Sequence, residues 1–204
     1  LLGSDLAVPR LGILSCRHHE GLHGLALGGP AAWGGRKKGE DGKIIPTDRP
    51  TTIFPQSYGL GATWDVDLVK KVGEQASLEA RYYMQRPEDK RTALVMRAPN
   101  ADLARDPRWG RVSEGSGEDT YVGSLIAIAM VQVYQATTPE ALASDTTILA
   151  CVKHFAAYGA PEAGRDYNTV DLTDRTLRET YLPPYKAAVD AGVGTVMAAF
   201  NDID

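Results

Sequence analysis

Four short apolar runs constrain what this chain can fold into: residues 11–16, 92–98, 148–153 and 195–200, each rich in β-branched residues or Leu and each leading into a polar loop. The runs are continuous rather than alternating, which is the pattern of strands buried on both faces of a parallel sheet. Helical spacing fills the intervals. Asp65 can cap a helix that carries Val69, Val72, Ala76, Ala80 and Tyr83 on one face at steps of three and four. A second helix from about Asp119 places Val122, Leu125, Ile126, Ala129 and Val133 on one stripe. A third starts near Thr173, carries Leu177 and Tyr181, and must break or kink at Pro183-Pro184; a fresh turn then runs to Ala191, with Gly192 as its stop. Strand and helix alternating four times predict an α/β fold with a parallel sheet covered by helices. Residues 28–55, rich in Gly, Pro and charge, read as a loop excursion.

With 22 Lys and Arg against 26 Asp and Glu, the net charge is −4. No positive excess exists to neutralise a phosphate backbone, so a nucleic-acid partner is not expected. At 43% hydrophobic and 24% charged, the 204 residues suit a globular core. The longest apolar stretch, 125–133, is interrupted by Gln132 and falls short of the roughly 20 apolar residues that span a bilayer, so no membrane partner is expected either. No signal-peptide pattern opens the chain, which begins on Leu1. The two cysteines, Cys16 and Cys151, match neither a disulfide framework nor a metal-ligand spacing.

In parallel α/β folds, ligands collect at the carboxyl ends of the strands. Those ends are chemically loaded here: Arg17 to Gly24 after the first run, Asn100 to Arg111 after the second, Lys153-His154 after the third and Asn201-Asp202 after the fourth. One motif competes. His19-Glu20-Gly21-Leu22-His23 fits the H-E-x-x-H pattern of zinc metalloproteases, whose two histidines share a helix face and whose Glu activates water. Gly21 and Gly24 would sit inside that helix at a cost of about 1 kcal/mol each relative to Ala, and no clear third ligand follows. The zinc protease is therefore the weaker alternative. Gly115-Ser116-Gly117 lacks the third glycine of a dinucleotide loop and no phosphate-binding G-x-x-x-x-G-K-[ST] occurs, so no cofactor is expected. Trp33, Trp64 and Trp109 read as packing residues before they read as a sugar platform.

The run Pro99-Asn100-Ala101-Asp102-Leu103-Ala104-Arg105-Asp106-Pro107-Arg108-Trp109-Gly110-Arg111, followed by Glu114 and Gly117-Glu118-Asp119, resembles the second-strand loop of glycoside hydrolase family 3. Cys151-Val152-Lys153-His154-Phe155, then Asp171-Leu172 through Arg178-Glu179 and Tyr181-Leu182-Pro183-Pro184, is similar to the stretch that follows in that family's β-glucosidases and β-xylosidases. Glu20-Gly21-Leu22-His23-Gly24 and Val196-Met197-Ala198-Ala199-Phe200-Asn201 resemble its first and fourth strand ends. The resemblance covers nearly the whole chain in order.

The resemblance implies a (β/α)8-type barrel, of which these residues form about the first half, since a closed barrel typically needs about 250. It implies hydrolysis of the bond to a non-reducing-end β-linked glucose or xylose, with retention through a covalent glycosyl-enzyme intermediate. The implied partners are a β-glucoside or a cello- or xylo-oligosaccharide, together with the remainder of the same enzyme or a partner chain, with room for an oligomer. The implied location is periplasmic or secreted. Arg111, Lys153 and His154 fall on positions that hold the hydroxyls of the first-subsite sugar, and Glu20 falls where relatives carry Asp or Glu on those hydroxyls. Met197 and Phe200 fall on subsite-lining positions; Phe200 stands where Tyr is often found, and lacks its hydroxyl. The family's nucleophilic Asp lies on a later strand and its acid/base Glu in a second α/β domain, so both are expected beyond residue 204. Asp202 and Asp204 fall short of the catalytic strand. A branch with a His-Asp acid/base is not matched, because Ala156-Ala157-Tyr158-Gly159 and Arg165-Asp166-Tyr167 replace its signatures. Without both carboxyl groups, the alternative is a sugar-binding chain that is inactive by itself.

Elementary chemistry supports those roles. Sugar hydroxyls both donate and accept, which suits a carboxylate acceptor flanked by Lys and Arg donors. Adjacent residues of a regular strand face opposite sides, so Lys153 and His154 reach one sugar only if the backbone is irregular. A strained or cis peptide is expected at His154-Phe155.

Overall fold

The computed structural model describes residues 8–12, 17–27, 39–42, 50–86 and 93–204. Four strands form one sheet: β1 (Arg17–Glu20), β2 (Ala93–Arg97), β3 (Leu149–Phe155) and β4 (Thr195–Ala198). All are parallel, in the spatial order β1-β2-β3-β4. That order separates two architectures. A doubly wound sheet reverses its strand order at a switch point, whereas right-handed crossovers between strands laid down in sequence put every helix on one side. The sheet is thus of the barrel type, with the strand ends gathered at one rim.

The helices are α1 (Ser57–Gly61), α2 (Val66–Gln85), α3 (Thr120–Gln135), α4 (Pro139–Leu142), α5 (Asp174–Thr176) and α6 (Pro183–Asp190). Asp65 caps α2 by accepting from the Leu68 N–H at 2.9 Å, and the helix buries Val69, Val72, Ala76, Ala80 and Tyr83, the face its spacing predicts. Asp119 caps α3 in the same way through the Val122 N–H at 2.7 Å. Here the burial is wider than one stripe. Ala127, Met130, Val131 and Tyr134 are buried alongside Val122, Ile126 and Ala129, while Leu125 and Val133 are only half-buried. The reason is tertiary: α3 packs on α2, α6 and β3 together. Gly73 allows the close approach of α2, since a Cβ there would meet Val133 Cγ1 at 3.0 Å. Met96, Ala98, Ala150 and Val152 join this core from the sheet. Each fully buried Val or Met contributes on the order of 1.5–3 kcal/mol.

The double proline acts as predicted. Thr173 caps α5, a π turn over Leu177–Tyr181 follows, and α6 restarts on Pro183. At the first helical position the missing proline N–H has no intrahelical role to lose. Gly192 follows the helix at φ +86°.

The strand boundaries differ from the sequence expectation. Leu11 lies in a 3-10 turn, residues 13–16 lie outside the described residues, and β1 occupies Arg17–Glu20, where a loop was expected. Polar residues hold this strand because pairing with β2 satisfies their backbone and the Glu20 carboxylate finds Arg97 and Lys153 at the rim. β3 runs two residues past Lys153, whereas β4 ends at Ala198 rather than 200. Trp109 is buried as expected, but Trp64 is 69% exposed; Trp33 lies outside the described residues. Among the described residues, no helix is long and apolar enough to cross a membrane.

Candidate functional site

Two groups of side chains gather where the strands end. In the first, Glu20 closes β1 and Arg97 closes β2, and the two are register partners. The Arg97 Nη1 donates to Glu20 Oε1 at 3.0 Å, and the Lys153 Nζ of β3 donates to Glu20 Oε2 at 2.7 Å. Neighbouring strands lie about 4.8 Å apart, so Lys153 crosses above β2 to reach β1, a span suited to its four-carbon stem. Lys153 is only 3% exposed. Burial by itself raises the Glu20 pKa, but the Lys153 and Arg97 charges and hydrogen bonds outweigh it and hold the carboxyl below its ordinary value.

His154 anchors the second group. Its Nδ1 donates to Asp102 Oδ2 at 2.7 Å, its backbone N–H donates to Asp102 Oδ1 at 3.1 Å, and the Tyr185 hydroxyl lies 2.6 Å from the same Oδ1. On the other edge of the ring, Arg111 Nη2 donates to His154 Nε2 at 3.3 Å. Arg111 is also forked onto Glu114, Nε to Oε1 at 2.8 Å and Nη2 to Oε2 at 2.6 Å. Burial would lower the Arg111 pKa, yet Glu114 and the Tyr158 hydroxyl raise it above its ordinary value. Its guanidinium lies 5.1 Å from the centroid of the Tyr158 ring, a cation–π distance. Tyr158 in turn packs edge-on against Trp109, whose Nε1 donates to Asp166 Oδ1 at 2.9 Å.

Lys153 and His154 are adjacent in sequence yet send their side chains to different partners on the rim. Cis peptide bonds at Lys153-His154 and Phe155-Ala156 flank the position where the irregularity was expected, and the β3–β4 register shifts between Val152 and Phe155. Of the expected residues, Glu20 meets Lys153, Arg111 meets His154, and the Phe200 ring lies 5.6 Å from the His154 ring. Phe200 remains 49% exposed. Met197 is half-buried on β4 and joins neither group by a hydrogen bond or ring contact among the described residues. Sequence reasoning did not assign a role to Arg97, Asp102 or Tyr185. Asp102 stood among many polar loop residues, and nothing near Tyr185 marks a partner 83 positions away.

The zinc reading of His19-Glu20-Gly21-Leu22-His23 is overturned by local structure. His19 and Glu20 lie on β1, not on a helix, and His23 Nδ1 donates to the Phe54 carbonyl at 3.2 Å. Glu20 is ion-paired, and no cluster of three metal-ligating side chains occurs among the described residues.

Residues 38–204 match the model of the glycosyl hydrolase family 3 N-terminal domain. The chain belongs to glycosyl hydrolase family 3. This family 3 chain is 44% identical over 153 residues to the periplasmic β-glucosidase of Salmonella typhimurium, covering 75% of this chain and 19% of that protein. It is 35% identical over 203 residues to a β-xylosidase of Formosa agariphila, covering 97% of this chain and 24% of the relative. A crystal structure of the β-glucosidase from Listeria innocua in complex with glucose superposes with a TM-score of 0.75 at 38% identity, over 97% of this chain and 23% of that one. The family 3 chain thus spans about a quarter or less of the length of these relatives.

Proposed function

We propose that this chain supplies the sugar-holding part of a retaining β-glycosidase that releases non-reducing-end β-linked glucose or xylose. The observation that carries the reading is the rim itself: Glu20 between Lys153 and Arg97, with Arg111 and His154 close to the neighbouring strand end. The Glu20 carboxylate accepts from a sugar hydroxyl, and Lys153 and Arg111 donate to others through charge-assisted bonds. Such bonds strengthen as the oxocarbenium-like transition state develops, so they act on rate as well as on binding. Met197 and Phe200 line the same subsite in this reading. The relatives' names, β-glucosidase and β-xylosidase, support the substrate class.

The covalent chemistry needs two carboxyl groups about 5 Å apart. One attacks the anomeric carbon while the other protonates the departing glycosidic oxygen; water then releases the sugar with proton transfer back to the second group. We assign both to sequence outside residues 1–204, in the rest of the barrel and a second α/β domain. Val196 on β4 and Phe200 and Ile203 just after it, each between 44% and 50% exposed, support a sheet that continues past β4.

Turnover of aryl β-glucosides and aryl β-xylosides, measured on the 204-residue chain and on the full protein, tests this. Hydrolysis is expected only from the full protein. Turnover by the 204 residues alone would overturn the placement of the carboxyl groups, and a full protein inert on both glycosides would overturn the function.

A further inference from the structure

We propose that Asp102, backed by Tyr185, is a positioning residue of the site: it fixes the angle and tautomer of His154 and, through His154, the aim of Arg111. The inference rests on the reading that His154 and Arg111 face the sugar. Asp102 is a carboxylate with 0% side-chain exposure, a position that is unfavourable unless donors satisfy it. Its donors are unusually specific. Oδ1 receives the backbone N–H of His154 and Oδ2 receives the ring Nδ1–H of the same residue. Backbone and ring of one histidine are thereby clamped on a single planar group, so rotation about either side-chain torsion breaks a bond. A core histidine that needed only satisfaction would be served by one carbonyl.

The carboxylate is held from the other side. Tyr185 of α6 brings its hydroxyl to 2.6 Å from Asp102 Oδ1 and 2.7 Å from the His154 carbonyl, which ties the helix layer to the end of β3. The Asp102 N–H donates to Asn100 Oδ1 at 2.9 Å, and a Cβ at Gly115 would lie 2.6 Å from the Asp102 carbonyl oxygen, so the loop is packed backbone on backbone.

The tautomer follows from the two neighbours. Nδ1 faces a carboxylate and must carry the hydrogen; Nε2 faces a guanidinium N–H and must offer its lone pair. Arg111 Nη2 is then shared between Glu114 and His154 while Nε is taken by Glu114, which turns the plane of the guanidinium and leaves Nη1 as the nitrogen engaged by neither. That nitrogen is the natural donor to a sugar hydroxyl. A wrong tautomer at His154 would set N–H against N–H and release the fork.

The test uses the full protein with Asp102→Asn, Tyr185→Phe and His154→Ala, assayed on an aryl β-glucoside, together with nitrogen-15 spectra of labelled histidine, in which the His154 signals are assigned by their loss in His154→Ala. The expected results are an Nδ1–H tautomer at His154 in the parent protein and a fall of about 10- to 100-fold in kcat/KM for Asp102→Asn, the usual effect of removing an outer-shell partner. The fall should lie more in kcat than in KM, with a retained near-ultraviolet spectrum and a shift to the Nε2–H tautomer. Tyr185→Phe should lose under about tenfold. An Nε2–H tautomer in the parent protein overturns the inference even if Asp102→Asn and Tyr185→Phe fail to fold. So does a parental kcat/KM in Asp102→Asn while His154→Ala is impaired, an outcome that leaves the sugar-site reading standing. A fully active His154→Ala would instead remove His154 from the sugar site, and the positioning role with it.

Discussion

The two groups at the rim solve the same problem, holding charge in a half-dry place, by different physics. Around Glu20 the means are ion pairs: one carboxylate meets two cations contributed by two other strands, each through a flexible stem. Around His154 the means are hydrogen-bond geometry: a sealed carboxylate grips one residue at two points, and the ring passes the constraint to Arg111. Ion pairs tolerate small shifts and respond to pH, whereas the clamp depends on direction and tautomer. In the proposed function, the first group supplies charge for a sugar and the second supplies aim.

Removing a member of each group should separate them. Lys153→Ala should have the largest effect on stability, about 3 kcal/mol, because it withdraws one partner of a buried pair and leaves Glu20 to Arg97 alone. Denaturant unfolding measures it, and a loss under 1 kcal/mol would mean that Glu20 does not depend on Lys153. Arg111→Lys should leave stability within about 1 kcal/mol, since this ion pair is partly exposed, yet lower kcat/KM about tenfold because an ammonium cannot be forked by Glu114 and still meet His154. Equal activity in that variant would show that the direction of the guanidinium is immaterial.

The pH response belongs to the first group. The Glu20 pKa is lowered in the folded chain, so its contribution is fully present above its ordinary value of 4.5 and is lost as pH falls through the lower, folded value. Glu20→Gln should therefore flatten the acid side of the stability profile, as read by unfolding midpoints between pH 3 and 7. A profile parallel to that of the parent would remove Glu20 from acid unfolding. Phe200→Ala should have the smallest effect on folding, within about 0.5 kcal/mol, because the ring is 49% exposed, and its consequence should appear in KM for the aryl glycoside instead. A thermal shift with unchanged KM would make Phe200 a packing residue.

Asp65 was legible as a cap, and Asp119 and Thr173 as helix starts that the structure makes caps, because a cap is a contact over three residues; the Pro183-Pro184 break was legible because proline acts on its own turn. Lys153 and His154 were expected together at the third strand end through the family resemblance, and the need for an irregular backbone around them came from that expectation combined with strand alternation. The true extent of β1 was not legible. His18, His19 and Glu20 look like loop residues until β2 supplies backbone partners and Arg97 and Lys153 neutralise the carboxylate. Nor was the wide burial of α3, which three neighbours create.

By itself, the sequence determined the alternation of strand and helix, the helix starts and stops, and the set of polar residues delivered to the strand ends, because each of these follows from periodicity or from contacts a few residues long. Only the tertiary structure decided which of those residues meet. Glu20 finds Lys153 across 133 positions and Asp102 finds Tyr185 across 83, and such pairs depend on the order and register of parallel strands, which local preferences do not encode.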